Sequence, residues 1–123
     1  MAYDRSNVFA RILRGELPCQ RVYEDDHALA FHDINPLAPV HVLVIPKGEY
    51  VSMDDFSAQA PAEALAGFFR AVGETARRVG VVEGGYRLLA NSGADANQEV
   101  PHFHVHIFAG APLGPMLKKA AAR

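Results

Sequence analysis

His102-Phe103-His104-Val105-His106-Ile107-Phe108 alternates imidazole and apolar side chains over seven residues. A period of two is the period of a β-strand, so the spacing predicts a strand over 102–108. Its three histidines share one face, and Phe103, Val105 and Ile107 share the other. The apolar face needs a cover, and an amphipathic helix packed on the sheet supplies one. Gly110 and Pro112 end the strand.

Working back from this strand, Ser92 to Gln98 is a polar loop, and Tyr86 to Asn91 is a strand after Gly84-Gly85. Before them lies the one long helix. Pro61 suits its first turn, Glu63 complements the dipole, and Gly80 stops it after Arg77 and Arg78. Leu65, Phe68, Phe69, Val72, Ala76 and Val79 form its apolar stripe. Val40 to Ile45 is the strongest strand, because β-branched residues dominate it. Asn35-Pro36 and Ala38-Pro39 form a stiff loop before it. Gln20 to Glu24 and Ala28 to His32 make a hairpin that turns at Asp25-Asp26. Ser6 is the expected N-cap of a short helix carrying Val8, Phe9, Ile12 and Leu13, with Gly15 as its stop and Pro18 barring continuation. The predicted fold class is α+β: an antiparallel five-stranded sheet with one long helix and one short N-terminal helix.

The chain has 123 residues and a formal net charge of −2, with 12 basic and 14 acidic side chains. That length predicts a single domain, 1–123, with a flexible tail over 115–123 that is frayed or weakly helical from Lys118 onward. The near balance of charge argues against nucleic-acid binding. No run reaches the ~20 apolar residues of a membrane span, and the N-terminus lacks a secretory h-region. Cys19 is the only cysteine, which fits packing in a reducing compartment. A cytoplasmic location is the expectation.

Six histidines are present, three of them within the five residues 102–106. Alternate strand positions place neighbouring Cα atoms roughly 6.5–7 Å apart, enough to hold a phosphate group between the rings. Three imidazoles on one face make poor core, since each has ring nitrogens to satisfy. Two chemistries remain open on these residues alone. One is a metal site built from imidazoles. The other is nucleophilic catalysis at phosphorus, in which a neutral imidazole divides one difficult displacement into two easier ones.

The segment Gln98-Glu99-Val100-Pro101-His102-Phe103-His104-Val105-His106-Ile107-Phe108 resembles the signature of the histidine triad (HIT) family. Ser6 to Ile12, Tyr23-Glu24-Asp25-Asp26, Ala30 to Ile34 and Pro39 to Lys47 are similar to that family's upstream blocks, and point to its Hint-like branch of small nucleotide hydrolases. The resemblance implies that His104 is the nucleophile toward the α-phosphorus of a purine nucleoside phosphoramidate or acyl-nucleotide. A nucleotidyl-histidine intermediate then yields the nucleoside monophosphate. It implies that His106 contacts the phosphate and assists proton transfer, and that His102 and His41 orient the row. Asp33 matches the ribose-binding acid, whose carboxylate can accept from both hydroxyls. Val8, Phe9, Ile12, Phe31 and Ile34 match the apolar base slot. Asn91, and less closely Gln98, match polar residues near the phosphate. No cofactor and no metal are implied, and a homodimer with the long helix at the interface is.

Two positions depart from the family pattern. Glu99 stands where many relatives carry a serine that reaches the phosphate, and a carboxylate there would repel the phosphate unless turned away. Ala111 stands where relatives often have arginine. The alternatives to a phosphoramidase are a dinucleoside polyphosphate hydrolase, a nucleotide-binding regulatory module with little turnover, and a zinc protein. Zinc ranks low because no carboxylate lies at a ligand spacing in the sequence. His27 and His32 are expected at the surface or in packing.

Overall fold

The computed structural model describes residues 2–118. Its elements are α1 (Val8–Leu13), β1 (Arg21–Glu24), β2 (Ala28–His32), β3 (Val40–Pro46), α2 (Met53–Gln59), α3 (Ala62–Arg78), β4 (Tyr86–Leu89) and β5 (Val105–Ala109). The five strands form one antiparallel sheet in the order β1-β2-β3-β5-β4. The expected α+β architecture is therefore the observed one. The part of the tail from Lys119 to Arg123 lies outside the described residues.

Both central faces of the sheet are covered. Ala28, Ala30, Val42, Val44, Phe103, Val105 and Ile107 point to α3 and pack on Phe68, Ala71, Val72 and Ala76. Leu29, Phe31, Leu43 and Ile45 point the other way and pack on Phe9 and Ile12 of α1. That second face is also the histidine face: in the register of β3 and β5, Leu43 pairs with His106 and His41 with Phe108. Period two thus assigns the faces correctly, and the long helix covers the one opposite the histidines.

Four local details differ from the expectation. Hydrogen-bonded pairing in the last strand begins at Val105, so His102 and His104 precede it. The N-cap of α1 is Asn7, whose Oδ1 accepts from the Ala10 N–H at 2.9 Å, while the Ser6 hydroxyl donates to Asp4. Phe69 is exposed on the outer flank of α3, so the apolar stripe is narrower than its composition. A second short helix, α2, also precedes α3. It starts where the Asp55 carboxylate accepts from the Ser52 and Val51 N–H groups, each at 2.8 Å. Its one buried side chain, Phe56, stacks on Phe103 at a centroid distance of 4.9 Å and meets Phe68 edge-on at 5.2 Å. That aromatic trio ties the segment before the histidines to the α3 layer.

His27 has a packing role. A Cβ on Gly67, within α3, would lie 2.2 Å from its Cδ2 and 2.3 Å from its Cγ. The bare helix backbone here accepts an imidazole from the β1–β2 turn. Gly67→Ala raises helix propensity by about 1 kcal/mol, but the overlap should cost about 1–3 kcal/mol. A net loss of stability is expected in urea unfolding, and His27→Ala in the same chain should convert it to a gain. Stabilisation by Gly67→Ala alone would refute the packing.

Candidate active site

The site is assembled from the end of β2, the start of β3, and the run entering β5. The ring of His102 is completely buried. Its Nε2 lies 2.8 Å from the Pro46 carbonyl, which can only accept, so Nε2 carries the proton. Its Nδ1 must then accept, and the Tyr3 hydroxyl stands 2.5 Å away. His104 repeats the device one residue pair on. Its Nδ1 lies 2.7 Å from the carbonyl of His102, so Nδ1–H donates and the Nε2 lone pair is left bare. Every buried side-chain nitrogen and oxygen among the described residues has a partner. The unpartnered Nε2 of His104 therefore opens to solvent, although the residue is only 7% exposed. Phe9 closes one side, its ring edge-on to His104 at 4.9 Å.

His106 and His41 form a second unit. They lie diagonally across β3 and β5, with His41 Nε2 and His106 Nδ1 2.9 Å apart. The backbone N–H of Leu37 donates to His41 Nδ1 at 3.1 Å. A neutral His41 therefore holds its proton on Nε2 and donates it to His106 Nδ1. The remaining proton of His106 sits on its outward nitrogen, Nε2. The His104 and His106 ring centroids are 5.0 Å apart. One ring thus presents a lone pair and its neighbour an N–H to the same space.

Burial holds these imidazoles neutral. It pushes His102 down to about 4, and burial followed by the neighbouring His104 and His41 rings pushes His106 to about 4. Burial also lowers His104, against its hydrogen bond to the His102 carbonyl and against the Asp33 and Glu99 carboxylates. His41 is lowered by burial, with Asp33 opposing. A neutral imidazole is the nucleophilic form, and none of these rings needs to shed a proton near neutrality.

Asp33 is held by its own turn. Its N–H donates to the His41 carbonyl at 2.9 Å, and its Oδ1 accepts from the Asn35 N–H at 2.8 Å. Its Oδ2 stands 3.5 Å from His41 Nε2. Sequence spacing gives no sign of a carboxylate beside the histidines, but the β2–β3 turn brings one there. The ligating atoms of Asp33, His41 and His106 lie within 4.8 Å of one another. Metal binding would require a lone pair on His41 Nε2. The Leu37 N–H occupies Nδ1 and keeps the proton on Nε2, so the donor set does not suit a cation.

The other candidates are placed as follows. Phe9, Ile12 and Phe31 are buried in the core beneath the histidine face, whereas Val8 and Ile34 are exposed beside it. Asn91 is half-buried just past β4. Gln98 is tied into the loop before the histidines. Its Nε2 donates to the Val51 and Val100 carbonyls and its Oε1 accepts from the Gly93 N–H, which engages both amide protons and one of the two oxygen lone pairs. Glu99 and Ala111 are exposed. Residue-type reasoning misses Tyr3, the Leu37 N–H and the Pro46 carbonyl. Two of these are backbone groups, which no residue pattern marks, and Tyr3 is 99 positions from its partner.

The HIT domain family model matches residues 14–113. The chain is 68% identical over 117 residues to an uncharacterized 13.2 kDa HIT-like protein of Azospirillum brasilense, covering 95% of this chain and 96% of that one. It is 42% identical over 110 residues to the purine nucleoside phosphoramidase of Escherichia coli (strain K12), covering 89% and 92%. A solved HIT family hydrolase from Clostridium thermocellum superposes with a TM-score of 0.85 at 38% identity, over 94% of this chain and 99% of that one.

The depressed histidines give stability a defined pH dependence. As pH falls, the unfolded chain takes up protons near 6.5, while folded His102 resists until about 4. The stabilisation is complete above 6.5 and is lost as pH falls through that window, by about 3 kcal/mol for His102. Histidine NMR titration should show His102 and His106 midpoints near 4, and urea unfolding should weaken across the same interval. Midpoints near 6.5 would contradict buried, neutral rings.

Proposed function

The chain belongs to the HIT domain family, and from that premise we propose that it is a nucleotide hydrolase acting on purine nucleoside phosphoramidates or acyl-nucleotides. The observation that carries the reading is the bare Nε2 of His104, fixed by the Nδ1–H bond to the His102 carbonyl at 2.7 Å. The E. coli relative's name, purine nucleoside phosphoramidase, supports the substrate class.

The steps follow from the tautomers. An anionic phosphate bound beside His106 favours the protonated form of the His41–His106 pair, and Asp33 acts in the same direction. The His104 Nε2 lone pair attacks the α-phosphorus. The bond from phosphorus to the leaving nitrogen, or to the acyl oxygen, breaks as His106 passes that proton to the departing atom. Water then attacks the nucleotidyl-histidine and its proton returns to His106. The bond from phosphorus to Nε2 breaks, releasing the monophosphate and a neutral His104. The carboxylate of Asp33 accepts from the ribose hydroxyls. Exposed Val8 and Ile34 flank the base, over a floor set by Phe9 and Phe31, with Asn91 near the phosphate.

The same reading includes a homodimer. β4 is an edge strand, and Tyr86, Leu88 and Val82 are exposed on and beside it, as is Phe69 of α3. An edge of that kind invites a second copy. A location in the cytoplasm belongs to the same proposal. Among the described residues no helix is long and apolar enough to cross a membrane.

Purified protein should release AMP from an adenosine phosphoramidate. His104→Ala should reduce kcat by at least about 10³-fold while retaining AMP binding. Near-wild-type turnover in that variant would sink the assignment. Asp33→Ala should instead raise KM about tenfold with a smaller change in kcat, the signature of lost ground-state binding. A dinucleoside polyphosphate cleaved faster than the phosphoramidate would favour the alternative hydrolase.

A further inference from the structure

The segment before α1 is bound to the rest of the molecule at several points. The Asp4 carbonyl accepts from the Asn7 N–H at 3.2 Å and from its Nδ2 at 2.8 Å. The Asp4 carboxylate accepts from the Ser6 N–H at 2.9 Å. Arg5 pairs with Glu49 at 2.8 Å, and its carbonyl accepts from Arg14 at 2.8 Å. These contacts deliver the Tyr3 ring to His102, edge-on at a centroid distance of 5.6 Å, with the hydroxyl on Nδ1. Burial holds the phenol above its usual range, against a hydrogen bond from Asn7, so it remains a donor.

We propose that Tyr3 is a positioning residue for the nucleophile: its hydroxyl satisfies the buried Nδ1 of His102, holds that ring in place, and so steadies the carbonyl from which His104 hangs. The Pro46 carbonyl demands a proton on His102 Nε2, which leaves Nδ1 as a buried acceptor. Tyr3 is the group that satisfies it. Without it the acceptor is orphaned, and His102 regains its partners only by rotating or by admitting water. Either movement shifts the His102 carbonyl, and with it the Nδ1–H bond that directs the His104 lone pair. Tyr3 itself touches no reacting atom in this scheme, so its removal acts on kcat rather than on substrate affinity. The proposal rests on His104 as the nucleophile.

The test is Tyr3→Phe in the full chain, which keeps the ring and removes only the hydroxyl. In substrate-free protein labelled with ¹⁵N-histidine, the wild-type His102 should show a protonated Nε2 and a hydrogen-bonded, unprotonated Nδ1. In the variant the Nδ1 resonance should move to the position of a free imine nitrogen, with the His41 and His106 resonances unchanged as a check on the fold. With an adenosine phosphoramidate, kcat should fall about tenfold and KM should stay within about twofold. An unmoved Nδ1 resonance, or a moved resonance with unchanged kcat, would overturn the proposal. Failure of the wild-type chain to release AMP would sink the hydrolase reading instead, and the substrate-free spectrum would still decide whether the Tyr3 hydroxyl holds His102 through Nδ1.

Discussion

The hydrogen bond from His104 Nδ1–H to the carbonyl of His102 is the interaction on which the arrangement turns. A carbonyl cannot donate, so the bond admits one tautomer and aims one lone pair outward. The same logic fixes His102, whose Nε2 faces the Pro46 carbonyl. Backbone oxygens are well suited to this task because they belong to the sheet and its continuation, and they do not change charge with pH. The tautomer of His104 is consequently a property of the main chain rather than of a neighbouring acid or base.

That solution also explains how three imidazoles are tolerated where a core would otherwise reject them. Buried ring nitrogens without partners are costly, but here the inner pair is satisfied by two carbonyls and one phenol. Burial then lowers the proton affinity of each ring and keeps the row uncharged, which avoids repulsion between cations only 5.0 Å apart, centroid to centroid. The helix face of the sheet contributes as well. Phe103 and Val105 anchor the backbone between the histidines into the α3 layer, so the carbonyls that set the tautomers are held from behind.

Period-two alternation made the histidine face and the five-strand plan legible in the sequence, because both depend only on side-chain direction. Hydrophobic spacing likewise made α3 legible. The short α2 was not, since one buried phenylalanine in seven residues gives no periodicity. Its trace was the Ser52-to-Asp55 spacing at its start, a capping pattern that can be read without structure. Phe69 was misplaced because it lies at the outer edge of the apolar stripe, 47% exposed, and residue type does not mark where that edge falls. Asp33 could be paired with the site only through family resemblance. What brings it to His41 is a turn closed by the Asp33 N–H and the His41 carbonyl, and that bond has no residue signature.

The least legible part was the set of groups that choose tautomers. Gln98 illustrates why. In sequence it is an amide beside the histidine run, and three backbone groups engage both of its protons and one oxygen lone pair. Tyr3 illustrates the converse: an aromatic residue in an unremarked N-terminal segment supplies the one donor that a buried imidazole requires. Residue chemistry proposes what a side chain can do, but its partners decide what it has left to offer. At His104 they leave a single lone pair. At His41 they leave no lone pair, and the proton on Nε2 is directed to His106 with the Asp33 carboxylate alongside. That difference gives two copies of the same side chain opposite offers, a lone pair from one and a directed proton from the other.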